Sequence, residues 1–161
     1  MKIAIPVERR AHETRVAATP ETVKKFRSLG FDVIVERGAG ERSRYPDSQY
    51  EEAGATLASD AQAALKDADI VLKVQRPLIA AEGGIDELAL MKKGAILAAI
   101  LNPYQTRDAV EAYAKAGITA FAMDFMPRIT RAQSMDVLSS QSNLAGYRAV
   151  IEAAYEFSRA M

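Results

Sequence analysis

The 161-residue sequence has no cysteine, no tryptophan and a single histidine, His12. The absence of cysteine excludes disulfides, thiolate metal ligands and thiol catalysis from this chain, and it is typical of a reducing compartment. One histidine without a suitably spaced group of carboxylates gives no metal site. We therefore expect no metal, and we interpret His12 as a surface residue.

The sequence also lacks an excess of charge of either sign and a long apolar run. Lysine and arginine together number 21, as do aspartate and glutamate. Zero net charge argues against a nucleic-acid partner. No apolar run is long enough to cross a bilayer, so no direct membrane insertion is expected. The first ten residues, MKIAIPVERR, become charged too early for a signal peptide. These features predict a cytoplasmic protein.

Short apolar segments alternate with amphipathic segments that end in glycine. The apolar segments are KIAIPV, FDVIVE, IVLKV, AILAAIL and ITAFAM. Helices are predicted between them, one with Thr19 as its N-cap and Gly30 as its end, and another capped by Ser59. Strands without polar alternation are buried on both faces, and strand–helix alternation implies parallel crossovers. The predicted fold class is α/β, with a doubly wound, mainly parallel sheet flanked by helices.

The glycine-containing segment GAGERS, residues 38–43, follows a predicted strand and invites comparison with a dinucleotide-binding loop. The third glycine of that fingerprint is missing, and Tyr45 and Pro46 interrupt the helix that would face a pyrophosphate. We interpret the segment as a plain turn.

Three cations follow predicted strands and should lie at the carboxyl edge of the sheet, where open α/β sheets bind their ligands. They are Arg15, Lys73 and Arg76. Each could contact an anion or an amide of a ligand. Each could equally be a surface side chain with its charge in water, and the sequence leaves both readings open.

The most unusual segment is PRITRAQSMDVLSSQSN, residues 127–143. It holds planar cationic donors at Arg128 and Arg131, an amide at Gln133 that both donates and accepts, and a carboxylate at Asp136. Asp136 and the following serines could simply cap the final helix, which is predicted over 144–157. The segment has no clear acid, base or nucleophile. It therefore suits a reaction in which the protein supplies position rather than bond-breaking groups, such as hydride transfer.

This segment, together with MKIAIPVERRAHETRVAATPETV, GFDVIVERGAG and ADIVLKVQRP, resembles the NAD(H)-binding alpha subunit of proton-translocating NAD(P) transhydrogenases. The resemblance covers essentially the whole chain, although the RVAATP segment is shared with alanine dehydrogenases. It implies a Rossmann-like N-terminal domain over 1–140 and, over 141–161, a helix that leads to an NAD-binding domain.

The resemblance also implies a function and a set of site residues. Arg128 and Ser139 would contact the nicotinamide carboxamide of NAD(H), Asp136 would position Arg128, and Gln133 would lie between the NADH and NADPH sites. Arg128, Gln133, Asp136 and Ser139 would all bind the cofactor, and the first three would also serve the reaction. The implied partners are an NADP(H)-binding component and a membrane domain that places the subunit at the inner membrane. The full-length subunit would be a homodimer.

Two features separate this sequence from complete family members. No dinucleotide fingerprint lies within it, so the isolated chain is expected to be inactive and to bind NADH weakly. Alanine dehydrogenases place a catalytic histidine after the strand that corresponds to AILAAIL, where this chain reads Leu101-Asn102-Pro103. An alanine dehydrogenase-like fragment is therefore the second hypothesis, although Arg15 and Lys73 match its carboxylate ligands. A non-catalytic interaction module is the third.

Overall fold

The computed structural model describes residues 1–158, which divide into a unit of residues 1–122 and a second unit that begins at Met123. The first unit is built on six parallel strands: β1 Lys2–Ile5, β2 Asp32–Glu36, β3 Thr56–Ala58, β4 Ile70–Gln75, β5 Ile96–Ile100 and β6 Thr119–Ala122. The helices along the chain are α1 Pro20–Ser28, α2 Asp47–Glu52, α3 Ala61–Leu65, α4 Arg107–Ala116 and α5 Val137–Glu156.

The strand order is β3-β2-β1-β4-β5-β6, and every neighbouring pair is parallel. This order confirms the predicted doubly wound sheet. It reverses direction between β1 and β4, which is the position where such sheets leave a crevice at their carboxyl edge. The strand β3 was not predicted, because its three residues are too few to show a pattern.

The core lies on both faces of the sheet, as double winding requires. On β1, Ile3 and Ile5 join a cluster that contains Val23 of α1 and Tyr50 of α2. Ala4, between them, joins the opposite cluster with residues of α3 and α4. Successive side chains of a strand point to opposite faces, so both faces of β1 are covered. The continuous apolar character of the segment follows from this double burial.

The helix ends follow the chemistry of the caps, with one correction. The Thr19 hydroxyl accepts from the Thr22 amide and begins α1, as predicted. The cap of α3 is Asp60, whose carboxylate accepts from Ala63 N, and the predicted cap Ser59 only donates to Asp60. An ionised carboxylate is the stronger acceptor at a helix N-terminus.

The segment GAGERS forms the predicted turn, and its last three residues, Glu41–Ser43, form a 3₁₀ turn. A Cβ added at Gly40 would lie 2.5 Å from the Tyr45 carbonyl oxygen and 2.6 Å from the ring of Tyr50. Tyr50 is fully buried, and its hydroxyl donates to the Ala18 carbonyl at 2.9 Å. The glycine therefore makes room for an aromatic ring of the protein itself.

The unit that begins at Met123 contains the polar segment and α5. The final helix was predicted to begin at Leu144, but α5 begins at Val137. The domain boundary after residue 140 stays a prediction. Asp136 caps α5 by accepting from the amides of Leu138 and Ser139. The first turns of α5 include the polar residues Ser139 to Asn143, which show no apolar periodicity, and this explains the error.

Candidate functional site

The polar segment turns sharply before α5 and gathers its side chains around one hollow. A 3₁₀ turn covers Gln133–Met135, and Ala132 beside it is buried. The hollow has a volume of about 240 Å³ and is lined by Arg128, Ile129, Thr130, Gln133, Asp136 and Ser139. Sites that enclose a whole drug-sized ligand have about 300–1,000 Å³. This hollow therefore suits one end of a larger ligand.

All four site residues implied by the resemblance line this hollow, and Arg131 does not. Within residues 1–158, the side chains of Arg128 and Gln133 form no hydrogen bond or ion pair. Both side chains are exposed. A guanidinium and an amide that are free to donate are consequently available to a ligand.

Asp136 is used differently from the expectation. Its Oδ1 accepts from the amides of Leu138 at 3.0 Å and Ser139 at 3.3 Å, and its Oδ2 accepts from the Ser139 hydroxyl at 2.6 Å. These bonds, led by that of Ser139, lower the pKa of Asp136, and the charge of Arg128 adds a smaller effect. No ion pair joins Asp136 and Arg128 in the described part of the chain. Asp136 therefore acts on Arg128 only through the longer-range attraction of their charges.

The Ser139 hydroxyl has a fixed polarity because of this contact. Its proton points to the Asp136 carboxylate, which only accepts. The remaining capacity of the serine oxygen is that of an acceptor. The hollow therefore presents donors at Arg128 and an acceptor at Ser139, with Gln133 able to act as either.

The apolar stripe on α5 is not covered within the described chain. Leu144, Tyr147, Ile151 and Tyr155 are between 42% and 83% exposed. No residue of α5 is buried.

A second polar group lies at the carboxyl edge of the sheet in the unit of residues 1–122. The Lys73 ammonium is buried and donates to Glu87 at 2.8 Å, and the Glu8 carboxylate is 3.5 Å away. Glu8 also accepts from Val74 N at 2.6 Å, across the point where the strand order reverses. Burial raises the pKa of Glu8, and Lys73 offsets part of the rise. We call Glu8, Arg9, Glu36, Lys73 and Glu87 the buried network.

Arg9 completes the buried network by contacting Glu36 and, at 3.4 Å, Glu87. The crevice at the switch point is thus filled by charges that satisfy one another. Lys73, which the sequence offered as a ligand contact, is committed to internal carboxylates. Its partners Glu8 and Glu87 were missed, since no local pattern marks a pair that is 65 residues or 14 residues distant in the sequence.

The other two candidate cations at this edge are also paired. Arg15 donates to both oxygens of Glu13, at 2.8 and 2.7 Å. These bonds, together with one from Gln75, lower the pKa of Glu13 to about 2. Arg76 donates to both oxygens of Glu82, at 2.8 and 2.7 Å. Both arginines are ion-paired rather than solvated.

Other sequence expectations concern metal, membrane and the single histidine. His12 is exposed, as predicted, and has a φ of 66°. Residues 1–158 contain no group of three or more histidine, cysteine, aspartate or glutamate side chains placed to hold a metal ion. In the same residues, no helix combines the length and the apolar character needed to cross a membrane.

Comparison with known proteins identifies relatives of two kinds. Residues 4–145 match the family described as alanine dehydrogenase/PNT, N-terminal domain. The chain is 61% identical over 160 residues to an NAD(P) transhydrogenase alpha subunit polypeptide of Rhodospirillum rubrum, a match that covers 99% of this chain and 41% of that protein. It is 34% identical over 159 residues to the alanine dehydrogenase of Mycobacterium tuberculosis, with the same two shares.

Solved structures give the same two kinds of relative. The crystal structure of transhydrogenase from Sinorhizobium meliloti matches with a TM-score of 0.90 and 54% identity, over 99% of this chain and 46% of that one. An L-alanine dehydrogenase matches with a TM-score of 0.73 and 29% identity, over 83% of this chain and 35% of that one. The chain therefore spans less than half the length of these relatives. The resemblance drawn from the sequence is confirmed.

Proposed function

Since the chain belongs to the alanine dehydrogenase/transhydrogenase N-terminal domain family, we propose that it serves a proton-translocating transhydrogenase as the N-terminal part of the NAD(H)-binding alpha subunit. In this proposal the loop from Arg128 to Ser139 positions the nicotinamide of NADH for hydride transfer to NADP⁺. The observation that carries it is the hollow lined by Arg128, Gln133, Asp136 and Ser139, with donors that no internal partner uses among the described residues.

The polarity of the hollow fits a primary carboxamide. A carboxamide has one carbonyl oxygen that accepts and one NH₂ group that donates. The Arg128 guanidinium donates to the oxygen, and the Ser139 oxygen accepts from the NH₂ group because its own proton is held by Asp136. Asp136 is thus a positioning residue that acts through Ser139 and, by its charge, on Arg128. This arrangement fixes which way round the carboxamide lies.

Gln133 has a different task in this proposal. Bound NADH supplies the hydride, and NADP(H) is held by a partner component. The exposed Gln133 amide donates with its nitrogen and accepts with its oxygen, so it can contact two nicotinamide groups at once. Holding two reactants at the right separation lowers the barrier by removing the entropy of their encounter.

We also propose the wider setting that the relatives suggest. The partners are an NADP(H)-binding component and a membrane domain, and the subunit is peripheral to the inner membrane through them. The full-length subunit is a homodimer. The 161 residues alone bind NADH weakly and are inactive, because the contacts of the hollow serve only the nicotinamide end of the dinucleotide.

The alternative of an alanine dehydrogenase-like fragment gains support from the 34% identical relative. The ion pairs of Lys73 and Arg15 count against it. Lys73 is 1% exposed in its side chain and paired with Glu87, and Arg15 is paired with Glu13. A substrate carboxylate would have to displace both glutamates.

The test uses the full-length subunit with its NADP(H)-binding partner. Gln133→Asn keeps the amide and shortens its reach by about 1 Å, so hydride transfer in stopped-flow should fall by about 10²-fold. NADH affinity in equilibrium titration should stay unchanged. Arg128→Ala should lower both, because a direct contact with the carboxamide is lost.

Arg131→Ala is the matched control, since Arg131 belongs to the same loop and does not line the hollow. It should leave the transfer rate and NADH affinity unchanged. If Gln133→Asn transfers hydride at the unmodified rate, or weakens NADH binding as much as Arg128→Ala, the bridging role of Gln133 is wrong.

A further inference from the structure

Two arginines at the carboxyl edge of the sheet share one carboxylate. Glu82 Oε1 accepts from Arg10 at 3.0 Å and from Arg76 at 2.7 Å, and Glu82 Oε2 accepts from each of them at 2.8 Å. Within residues 1–158, neither arginine pairs with a second carboxylate. The three side chains therefore carry a net charge of +1.

The arginine pair does not depend on Glu82 alone for its placement. Arg10 Nε donates to the Arg76 carbonyl at 2.9 Å, and a terminal nitrogen of Arg10 donates to the Pro77 carbonyl at 3.1 Å. These carbonyls belong to the chain directly after β4. Arg10 is thus bonded to the backbone that carries Arg76 by contacts that do not involve Glu82.

A buried hydroxyl near this pair has no acceptor. Tyr113 of α4 is 2% exposed, and its hydroxyl has no hydrogen-bond partner among the residues that the structure describes. Burial raises the pKa of Tyr113, and the charges of Arg76 and Arg10 offset part of the rise. The hydroxyl stays neutral and can donate.

Two glycines follow the residue that carries the carboxylate, whose Oε2 also accepts from Ile79 N at 3.3 Å. Glu82 ends the 3₁₀ turn Ala80–Glu82, and the next two residues, Gly83 and Gly84, have φ of 77° and 76°. No atom lies within 4 Å of a Cβ built at either glycine. Glycine adopts such angles without steric cost, so these two residues form a joint next to the carboxylate.

We propose that Arg10 and Arg76 form a binding site for a compact dianionic oxyanion, a phosphate group, and that Glu82 occupies it as an internal ligand. Two planar forks of donors suit the several oxygens of a phosphate group better than the two oxygens of a carboxylate. A phosphate dianion also balances both positive charges, whereas the single negative charge of Glu82 balances only one of them. Tyr113 supplies a further donor. The site stands independently of the proposed transhydrogenase function.

The test is calorimetric titration of the 161-residue chain with inorganic phosphate and, separately, with adenosine monophosphate, at constant ionic strength set by chloride. Glu82→Gln removes the competing charge and should bind phosphate at least about tenfold more tightly than the unmodified chain, as expected when a charged competitor is lost. Arg76→Ala in the Glu82→Gln background should abolish the gain. Tighter binding of adenosine monophosphate than of phosphate would identify a nucleotide ester as the ligand class, and the reverse would identify free phosphate.

Asp32→Asn is the matched control, because it frees Arg27, a single exposed arginine that is paired with Asp32 at 2.6 Å. It should bring no gain in phosphate affinity. An equal gain for Asp32→Asn, or equal affinities of the Glu82→Gln and unmodified chains, would overturn the proposal. Thermal unfolding of the unmodified chain and of Arg76→Ala, with phosphate against chloride, decides the question independently of how Glu82→Gln folds: only the unmodified chain should gain stability.

Discussion

The buried network and the polar hollow contain similar side chains in opposite circumstances. In the buried network, Lys73, Glu8 and Glu87 are almost fully removed from water, and each charge has an internal partner. In the hollow, Arg128 and Gln133 are exposed and have none among the described residues. Both regions drew attention in the sequence for the same reason, which was polar residues after a strand. What distinguishes a structural site from a candidate binding site is the unused hydrogen-bonding capacity.

The strongest test of this contrast removes the cation of the buried network. Among the described residues, Lys73→Ala leaves Glu36 and Glu87 paired with Arg9 and leaves Glu8 without an ion pair. Breaking a buried pair by removing one partner costs about 3–5 kcal/mol. We expect the free energy of unfolding of the chain, measured by urea titration with circular dichroism, to fall by that amount. A loss below about 1 kcal/mol, the range of exposed ion pairs, would mean that water reaches these carboxylates and that the network is not closed.

A smaller effect should appear with pH at the Glu13–Arg15 pair. The pKa of Glu13 is lowered to about 2 in the folded chain, so folding favours its ionised form. The resulting stability is present above the unfolded pKa of about 4.3 and is lost as the pH falls towards the folded pKa. Arg15 is partly exposed, so solvent screening limits the contribution to about 1–2 kcal/mol.

Glu13→Gln should remove that part of the acid dependence. The measurement is urea unfolding of the unmodified and Glu13→Gln chains at a series of pH values between about 2 and 6, which runs from the folded pKa to above the unfolded pKa. The two curves should converge at the acid end. Parallel curves would show that Glu13 titrates normally. The contribution of Glu8 to the pH dependence of stability has the opposite sign, because its pKa is raised and folding disfavours its ionised form.

The smallest effect should come from the hollow. Arg128→Ala removes an exposed cation without an ion pair among the described residues, and such substitutions usually change stability by less than about 0.5 kcal/mol. The same urea titration applied to Arg128→Ala and Lys73→Ala gives the comparison directly. A loss for Arg128→Ala that approaches the loss for Lys73→Ala would show that Arg128 serves the fold.

The sequence was sufficient to predict the architecture of the sheet. It was not sufficient to predict which charged side chains pair with one another. Five strands and the parallel order follow from apolar segments and from helices that end in glycine, because these signals are local. The cap of α3 was misplaced by one residue, since Ser59 and Asp60 are both good capping residues and only the backbone decides between them. The start of α5 was misplaced because Asp136 was read chiefly as a site residue.

The candidate site shows the same division between local and distant information. Arg128, Gln133, Asp136 and Ser139 were named from the sequence, and the hollow brings them together because they lie within twelve residues of one another along the chain. Lys73 pairs with Glu87, and Arg76 pairs with Glu82. Each pair forms only because the chain after β4 turns back towards the end of that strand. No periodicity or motif encodes that return.

The ring of Tyr50 in the space left by Gly40 has a consequence for how this region of the molecule holds together. The helix that carries Tyr50 has six residues, too few to be stable by itself in water. Its side chain contacts the turn at Gly40 and, through its hydroxyl, the backbone at Ala18, 32 residues away along the chain. One aromatic side chain thus fastens three separate stretches of chain to a common point, so that they must loosen together or remain in place together.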